Sequence, residues 1–414
     1  MPSEKAERKI KRVQVQDRAP AGKSCYEMAR ERVSTLFDTF DEIVVSFSGG
    51  KDSTVVLELA REEARKRNRL PLRVIFFDEE AVDPDTVEYV HRIAESDELE
   101  FRWLCLPIKH RNACSRKTPY WYPWAPEARE DWIRPLPDHP GVEACVPDAP
   151  TPQLGHRVFD DPASRKDIPS IQDSNLLDEH DPFGPPKGIR CYLLGLRGDE
   201  SIRRARISTL RAHMNYVGSP HGRFKTHRAW PIYDFKSGDV WKFIHETGCD
   251  WSRAYVSQRL AGLSPKEQRV AHPFGEEPVQ RLYLWRLCWP ESWDSIVKRV
   301  PGASFAAEWG RSALFARGSS EELHEDWKRN PRAALRRVLQ SWEPKTRGAI
   351  AHGIKQMIEH HARVCPDDPI PVEGYSPSGV TWMDLIRIAE RGDLKKRKRQ
   401  MLVGKVRAEK EKTE

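Results

Sequence analysis

The chain has 414 residues, 38% hydrophobic and 32% charged, with a formal net charge of +7, enough for two or three domains or one large α/β domain with extensions. No apolar run approaches the roughly 18 residues of a membrane span, and the basic start from Met1 to Arg12 lacks a secretory signal's apolar stretch. The expectation is a cytoplasmic protein without membrane contact. Its eight cysteines (Cys25, Cys105, Cys114, Cys145, Cys191, Cys249, Cys288 and Cys365) include no C-x-x-C pair. That spacing argues against a zinc ribbon or a common iron–sulfur motif, and favours reduced, buried thiols over a cluster assembled from distant cysteines.

In chain order, residues 1–22 read as a flexible basic segment. Ser24 caps a predicted helix running to about Phe40. Ile43 to Phe47 form a continuous apolar strand, the kind buried on both faces of a parallel sheet. Ser48-Gly49-Gly50-Lys51-Asp52-Ser53 then turns into a helix, Thr54 to Lys66. The glycines let backbone N–H groups approach an anion, and the helix start adds orphan donors and a positive dipole end. Lys51, expected as an exposed loop lysine, adds charge; Ser48 and Ser53 add hydroxyls. The expected product is a phosphate cradle.

The string is not G-x-x-x-x-G-K-[ST], because its glycines are adjacent and the lysine follows at once. Ser48 to Ser53 instead resembles the PP-loop of the adenine-nucleotide alpha hydrolases, which include ATP pyrophosphatases, tRNA thiolation enzymes and phosphoadenosine-phosphosulfate (PAPS) reductases. The resemblance implies a HUP-type, Rossmann-like doubly wound parallel sheet. It also implies that Ser48, Gly49, Gly50, Lys51, Asp52 and Ser53 grip the pyrophosphate of ATP or the matching group of a PAPS-type sulfonucleotide.

A second strand, Leu72 to Phe77, ends in Asp78-Glu79-Glu80. Acidic residues there face the crevice where doubly wound sheets bind ligands. The family resemblance makes Phe77 and Asp78 candidates for adenosine contact, and Asp52 and Glu79 candidates for magnesium. The alternative is a capping cluster, with Asp83 starting a helix at Asp85 to Ala94. Phe101 to Leu104 is the third strand, and the β-α-β-α-β order predicts right-handed parallel crossovers.

Residues 107–188 break this rhythm. The insert begins with Tyr120, Trp121, Tyr122, Trp124 and Trp132, then Arg134. A loop this long is functional or disordered; its first half is expected either as a lid whose aromatics stack a base or as a small satellite core. Ile189 to Leu194 is a strand. Gly195 to Arg204, with Arg197 and Glu200, resembles the G-x-R-x-x-E-S-x-x-R segment of the PAPS reductase branch. That likeness makes Gly195, Arg197, Glu200 and Arg204 candidates near the substrate's anionic end; arginine's fork suits phosphate or sulfate, and Glu200 can serve to orient Arg197. Ala229 to Ile244 resembles a structural segment of the same branch, with Ser237 expected as N-cap and Gly248 as helix end.

Residues 23–250 are therefore expected as the nucleotide domain, 251–393 as a mostly helical C-terminal region, and 394–414 as a basic tail. His272 to Gly275 and Tyr283 to Gly302 resemble the immunoglobulin-binding regulator A-like subfamily, which implies a ParB-like protein partner. The basic tails point to nucleic acid or to solvated helix ends. The Glu-Cys-Gly-Ile/Leu-His string of true sulfonucleotide reductases is absent. The expected chemistry is adenylation of a substrate by ATP with magnesium, with Lys51, Asp52, Arg197 and Arg204 catalytic, followed by sulfur or nitrogen transfer. The alternatives are a sulfonucleotide enzyme using another cysteine and a non-catalytic ATP-binding regulator that contacts DNA.

Overall fold

Glu42–Phe47 forms β1, Leu72–Phe77 β2 and Leu99–Cys105 β3; all are short runs rich in β-branched and aromatic residues. The computed structural model describes residues 22–115, 117–145, 181–200, 216–220, 224–265, 267–275, 278–310 and 327–392. Beyond β3 come the two-residue strands β4 (His110–Arg111) and β5 (Tyr120–Trp121). The remaining strands are β6 (Val142–Ala144), β7 (Arg190–Leu194) and β8 (His227–Ala229). The six-stranded sheet has the order β6-β3-β2-β1-β7-β8, and every pairing in it is parallel. The chain steps outward from β1 through β2, β3 and β6, then returns to place β7 on the other side of β1. The switch point thus lies between β1 and β7, where an open α/β sheet presents its ligand crevice.

Alternation along the strands supplies both faces of this sheet. Ile43, Val45, Phe47, Val74, Phe76, Phe101 and Trp103 enter the main core. Val44, Ile75, Leu104 and Tyr192 form a smaller cluster that Phe77 and Phe183 help to cover. Helix α1 (Cys25–Thr39) starts at Ser24, whose hydroxyl accepts from Glu27 N–H while Glu27 answers in a capping box. Helix α2 is Lys51–Lys66, three residues longer at its start than expected. Helix α3 (Pro84–Ala94) starts at the Asp83 cap. Helix α4 (Ser237–Thr247) ends at Gly248 in the left-handed region. Its N-cap is Lys236 rather than the expected Ser237, with the Asp239 carboxylate accepting from Lys236 N–H at 2.8 Å.

The chain divides into two compact units, Met1–Cys114 with Tyr120–Ala307, and Ser115–Pro119 with Glu308–Glu414. The first of these units extends to Ala307. Helix α5 (Ala254–Leu260) brings Tyr255 onto the loop before α2, and α6 (Tyr283–Cys288) and α7 (Pro290–Arg299) follow in the same unit. Helical periodicity identifies these segments as helices but does not say which core they join. The second unit has its own core, formed by Trp342, Ile354, Met357, Leu385, Ile386 and Ala389. The helices Pro331–Gln340, Pro344–Val364 and Trp382–Arg391 supply it.

Candidate nucleotide site and the adjoining strand end

The loop after β1 is held by its own side chains. Ser53 Oγ donates to the Gly50 carbonyl at 2.9 Å, lies 3.0 Å from Ser48 Oγ, and accepts from Ser48 N–H at 3.1 Å. Gly49 has φ +71°, and a Cβ on it would lie 2.6 Å from Thr86, so this turn requires glycine on both counts. Gly50 is the N-cap of the 16-residue α2 and has no side chain to satisfy the helix's first N–H groups. Those donors and the dipole make the loop an anion seat.

Across the switch point, Gly195 follows β7. A Cβ there would come within 2.6 Å of the backbone of Asp52 and Ser53. Its role is thus to let the end of β7 pack against the start of α2. Two residues on, Arg197 is 4% exposed. Its Nε donates to Asp52 Oδ1 at 2.7 Å, Nη1 to Asp199, and Nη2 lies 3.8 Å from Glu200. Asp52, Arg197 and Glu200 therefore meet as one network, and Glu200 stands where it can orient Arg197. Arg204 lies outside the described residues.

Lys51 is not an exposed loop lysine: it is 5% exposed. Burial pushes its pKa below the usual lysine range, partly offset by Asp52, while Arg197 and Arg269 add repulsion. Its ammonium lies 3.7 Å from Asp52 and 5.2 Å from the centre of the Tyr255 ring. The Tyr255 hydroxyl accepts from Lys51 N–H at 2.9 Å. Sequence reasoning missed Tyr255, since nothing local marks a tyrosine 204 positions away as the cover of this helix start.

One strand over, the three acids after β2 separate in role. Asp78 is buried. It accepts from Trp103 Nε1 at 2.6 Å, Glu80 N–H at 2.9 Å and Arg134. Its carboxylate thus serves the protein's own donors, and Phe77 packs into the smaller cluster. Glu80 is fully buried with φ +59°. It accepts from Trp124 N–H at 2.6 Å, Ile133 N–H at 3.0 Å and Arg299 at 3.1 Å. Burial raises its pKa against these partners. Asp78 and Glu80 thereby pin the first half of the insert to the sheet. Trp124 is 0% exposed and meets Trp132 edge-on at 5.0 Å; both join the main core, so they form neither a base-stacking lid nor a separate satellite core. Trp121 instead lies parallel to the His272 ring at 5.7 Å.

Glu79, between those two anchors, faces two imidazoles. His110 Nδ1 is 3.7 Å and His272 Nδ1 3.8 Å from its carboxylate. Magnesium prefers oxygen ligands, so this donor set does not suit the magnesium expected at Glu79. At Asp52 the carboxylate is already matched by Arg197 and Lys51. Neither carboxylate is thus set among the oxygen donors that magnesium prefers.

All eight cysteines are free. Burial pushes Cys25 up to about 11 and Cys114 up to about 12, and raises Cys105, Cys191, Cys249 and Cys288. Thiols held this way are poor nucleophiles.

Residues 42–118 match the phosphoadenosine phosphosulfate reductase domain, and residues 262–340 match a domain of unknown function, DUF3440. The chain is 29% identical over 295 residues to the uncharacterised protein YbdN of Escherichia coli K12. That match takes in 67% of this chain and 65% of that protein's length. Among solved structures it is similar to FMN adenylyltransferase of Candida glabrata with FMN and an ATP analogue: 14% identity, 60% of this chain and 67% of that one, TM-score 0.30. It is also similar to the phosphate complex of the PAPS reductase of Candida auris: 12%, 60% and 96%, TM-score 0.29. A third similar structure is the U34-tRNA thiolase NcsA of Methanococcus maripaludis: 11%, 72% and 82%, TM-score 0.28. At such TM-scores the fold rests on strand order and register. The reductase-domain match is confined to residues 42–118, the stretch that carries β1, β2 and β3. No helix among the described residues is long and apolar enough to cross a membrane.

Proposed function

We propose that the chain binds ATP at Ser48–Ser53 and cleaves it to AMP and pyrophosphate, adenylating a substrate for sulfur or nitrogen transfer. The observation that carries this reading is the meeting of two glycines, an uncapped helix start, buried Lys51 and Arg197 at the sheet's switch point. In this reading a substrate oxygen attacks the α-phosphorus, and the bond to the bridging oxygen of the leaving pyrophosphate breaks. Loop N–H groups and the Lys51 ammonium stabilise the charge gathering on that leaving group. Arg197, held by Asp52, Asp199 and Glu200, would supply the cation on the α-phosphate side in this reading. Arg204 belongs to the proposal through its motif alone. A base in nucleic acid as acceptor, a ParB-like partner, a cytoplasmic location and membership of the immunoglobulin-binding regulator A-like subfamily complete it.

The sulfonucleotide alternative requires a reactive thiol, and the raised pKa values of six cysteines weigh against it. The test is release of labelled AMP and pyrophosphate from ATP in the presence of candidate nucleic acids. Lys51→Ala is expected to lower that release at least about 100-fold, in the range of other losses of transition-state charge stabilisation. Undiminished turnover in the variant would remove the reading, and nucleotide binding without any product would favour the ATP-binding regulator.

A further inference from the structure

Of the three acids after β2, Glu79 is the one whose carboxylate faces His110 and His272. The ligand-capable atoms of Glu79, His110 and His272 all lie within 4.8 Å of one another. Three separate parts of the chain bring them there. Glu79 comes from the carboxyl end of β2. His110 comes from β4, where it pairs with Trp121 of β5. His272 comes from a segment tied to the β4 side by Ala113 N–H donating to the Phe274 carbonyl at 2.7 Å. The two imidazole rings are 4.7 Å apart.

We propose that Glu79, His110 and His272 form a binding site for a divalent transition-metal ion of the zinc or ferrous class. Ligand atoms about 2.0–2.1 Å from a tetrahedral ion stand roughly 3.3–3.5 Å apart. The observed contacts, 3.7 Å to Oε1 and 3.8 Å to Oε2 within a set spanning at most 4.8 Å, close on such an ion with side-chain shifts of up to about 1.5 Å. Two imidazoles and one carboxylate on one side of an ion leave further positions open for water or a substrate atom. This is the pattern of a reactive centre more than of a closed structural one.

The surroundings support a ligating tautomer. His272 Nε2 lies 3.2 Å from the Arg111 carbonyl, which would accept from that nitrogen in the tautomer that leaves Nδ1 free to ligate. In the other tautomer Nε2 accepts from Trp121 Nε1 at 3.4 Å, so binding of a metal at Nδ1 selects the first. A carbonyl holding the far nitrogen is the usual outer-shell support of a metal-bound histidine. Trp121, stacked on His272, shields one side of the group. The site lies at the carboxyl edge of the sheet, one strand from the Ser48–Ser53 loop, but its metal affinity does not depend on nucleotide turnover.

The test uses the full chain, stripped with a chelator and free of nucleotide, titrated with Co2+ and then Zn2+. The expected result is one equivalent of Co2+, displaced by Zn2+ but not by excess Mg2+, with no thiolate-to-cobalt charge-transfer band. Glu79→Gln and His272→Gln, which keep side-chain size, should each weaken binding by more than the ~10–100-fold that loss of an outer-shell partner costs. Circular dichroism checks their fold. Absence of stoichiometric binding by the wild type, a thiolate band, or unchanged affinity in folded variants would overturn the proposal. Should both variants fail to fold, the wild-type stoichiometry and spectrum still decide.

Discussion

The carboxyl ends of β1 and β2 lie side by side and are built in opposite ways. After β1, the chain uses small residues and bare backbone, and its charges are the buried Lys51 ammonium and the Asp52 carboxylate that clamps the Arg197 guanidinium from the end of β7. After β2, it uses three consecutive acids, two of them consumed by internal hydrogen bonds. In the function proposed above, the first end seats the nucleotide's phosphates. The second is an anchor for the insert, and its third carboxylate faces two imidazoles. On that reading neighbouring strand ends divide the work: one seats the ligand, the other holds the wall.

The largest effect that separates them is on stability. Arg134→Ala strips a cation from Asp78, which is buried beside Trp103. Breaking such a pair costs about 3–5 kcal/mol, measurable by urea unfolding. A loss under about 1 kcal/mol would mean that the β2 end does not anchor the insert. Next comes Gly195→Ala, whose Cβ would meet the Asp52 and Ser53 backbone at 2.6 Å. Overpacking of this kind costs about 1–3 kcal/mol, and here it should also weaken nucleotide binding, because the start of α2 must shift. A variant destabilised with full affinity would separate the packing from the anion seat.

A smaller effect is expected at Tyr255. Tyr255→Phe removes the acceptor for Lys51 N–H and should cost about 0.5–1.5 kcal/mol. It also releases a donor at the helix start, so affinity for ATP should rise a few-fold by calorimetry. A fall would identify the hydroxyl as a ligand contact. The smallest effect is with pH. Lys51 has a folded-state pKa lowered by burial from 10.5. Between the lowered and ordinary values the unfolded chain binds more protons, so in the absence of ligand this group makes stability rise with pH. Binding a polyanion favours the charged lysine. Affinity should therefore hold below the lowered pKa and decline as pH rises through it, with a proton taken up on binding, visible as a buffer-dependent heat. Lys51→Ala should abolish that dependence, and its persistence would assign it elsewhere.

The strands β1, β2, β3 and β7, the parallel crossovers from β1 to β3 and the loop at Ser48–Ser53 were legible in the sequence, because each depends on residues close in the chain; the two- and three-residue strands β4, β5, β6 and β8 are too short to leave such a run. Apolar runs mark buried strands, and Gly49 and Gly50 mark a turn that a side chain would obstruct. The Asp83 and Ser24 caps were legible for the same reason. What the chain order could not show was which distant groups meet. The Tyr255 hydroxyl over Lys51, Arg134 and Arg299 against the acids after β2, and His110 with His272 around Glu79 each join segments far apart in the chain. Burial likewise belongs to the assembled fold, so Lys51 read as exposed and Asp78 as a ligand contact until packing enclosed them both. Local backbone preference decides elements; desolvation and pairing across the core decide which charges stay available for chemistry.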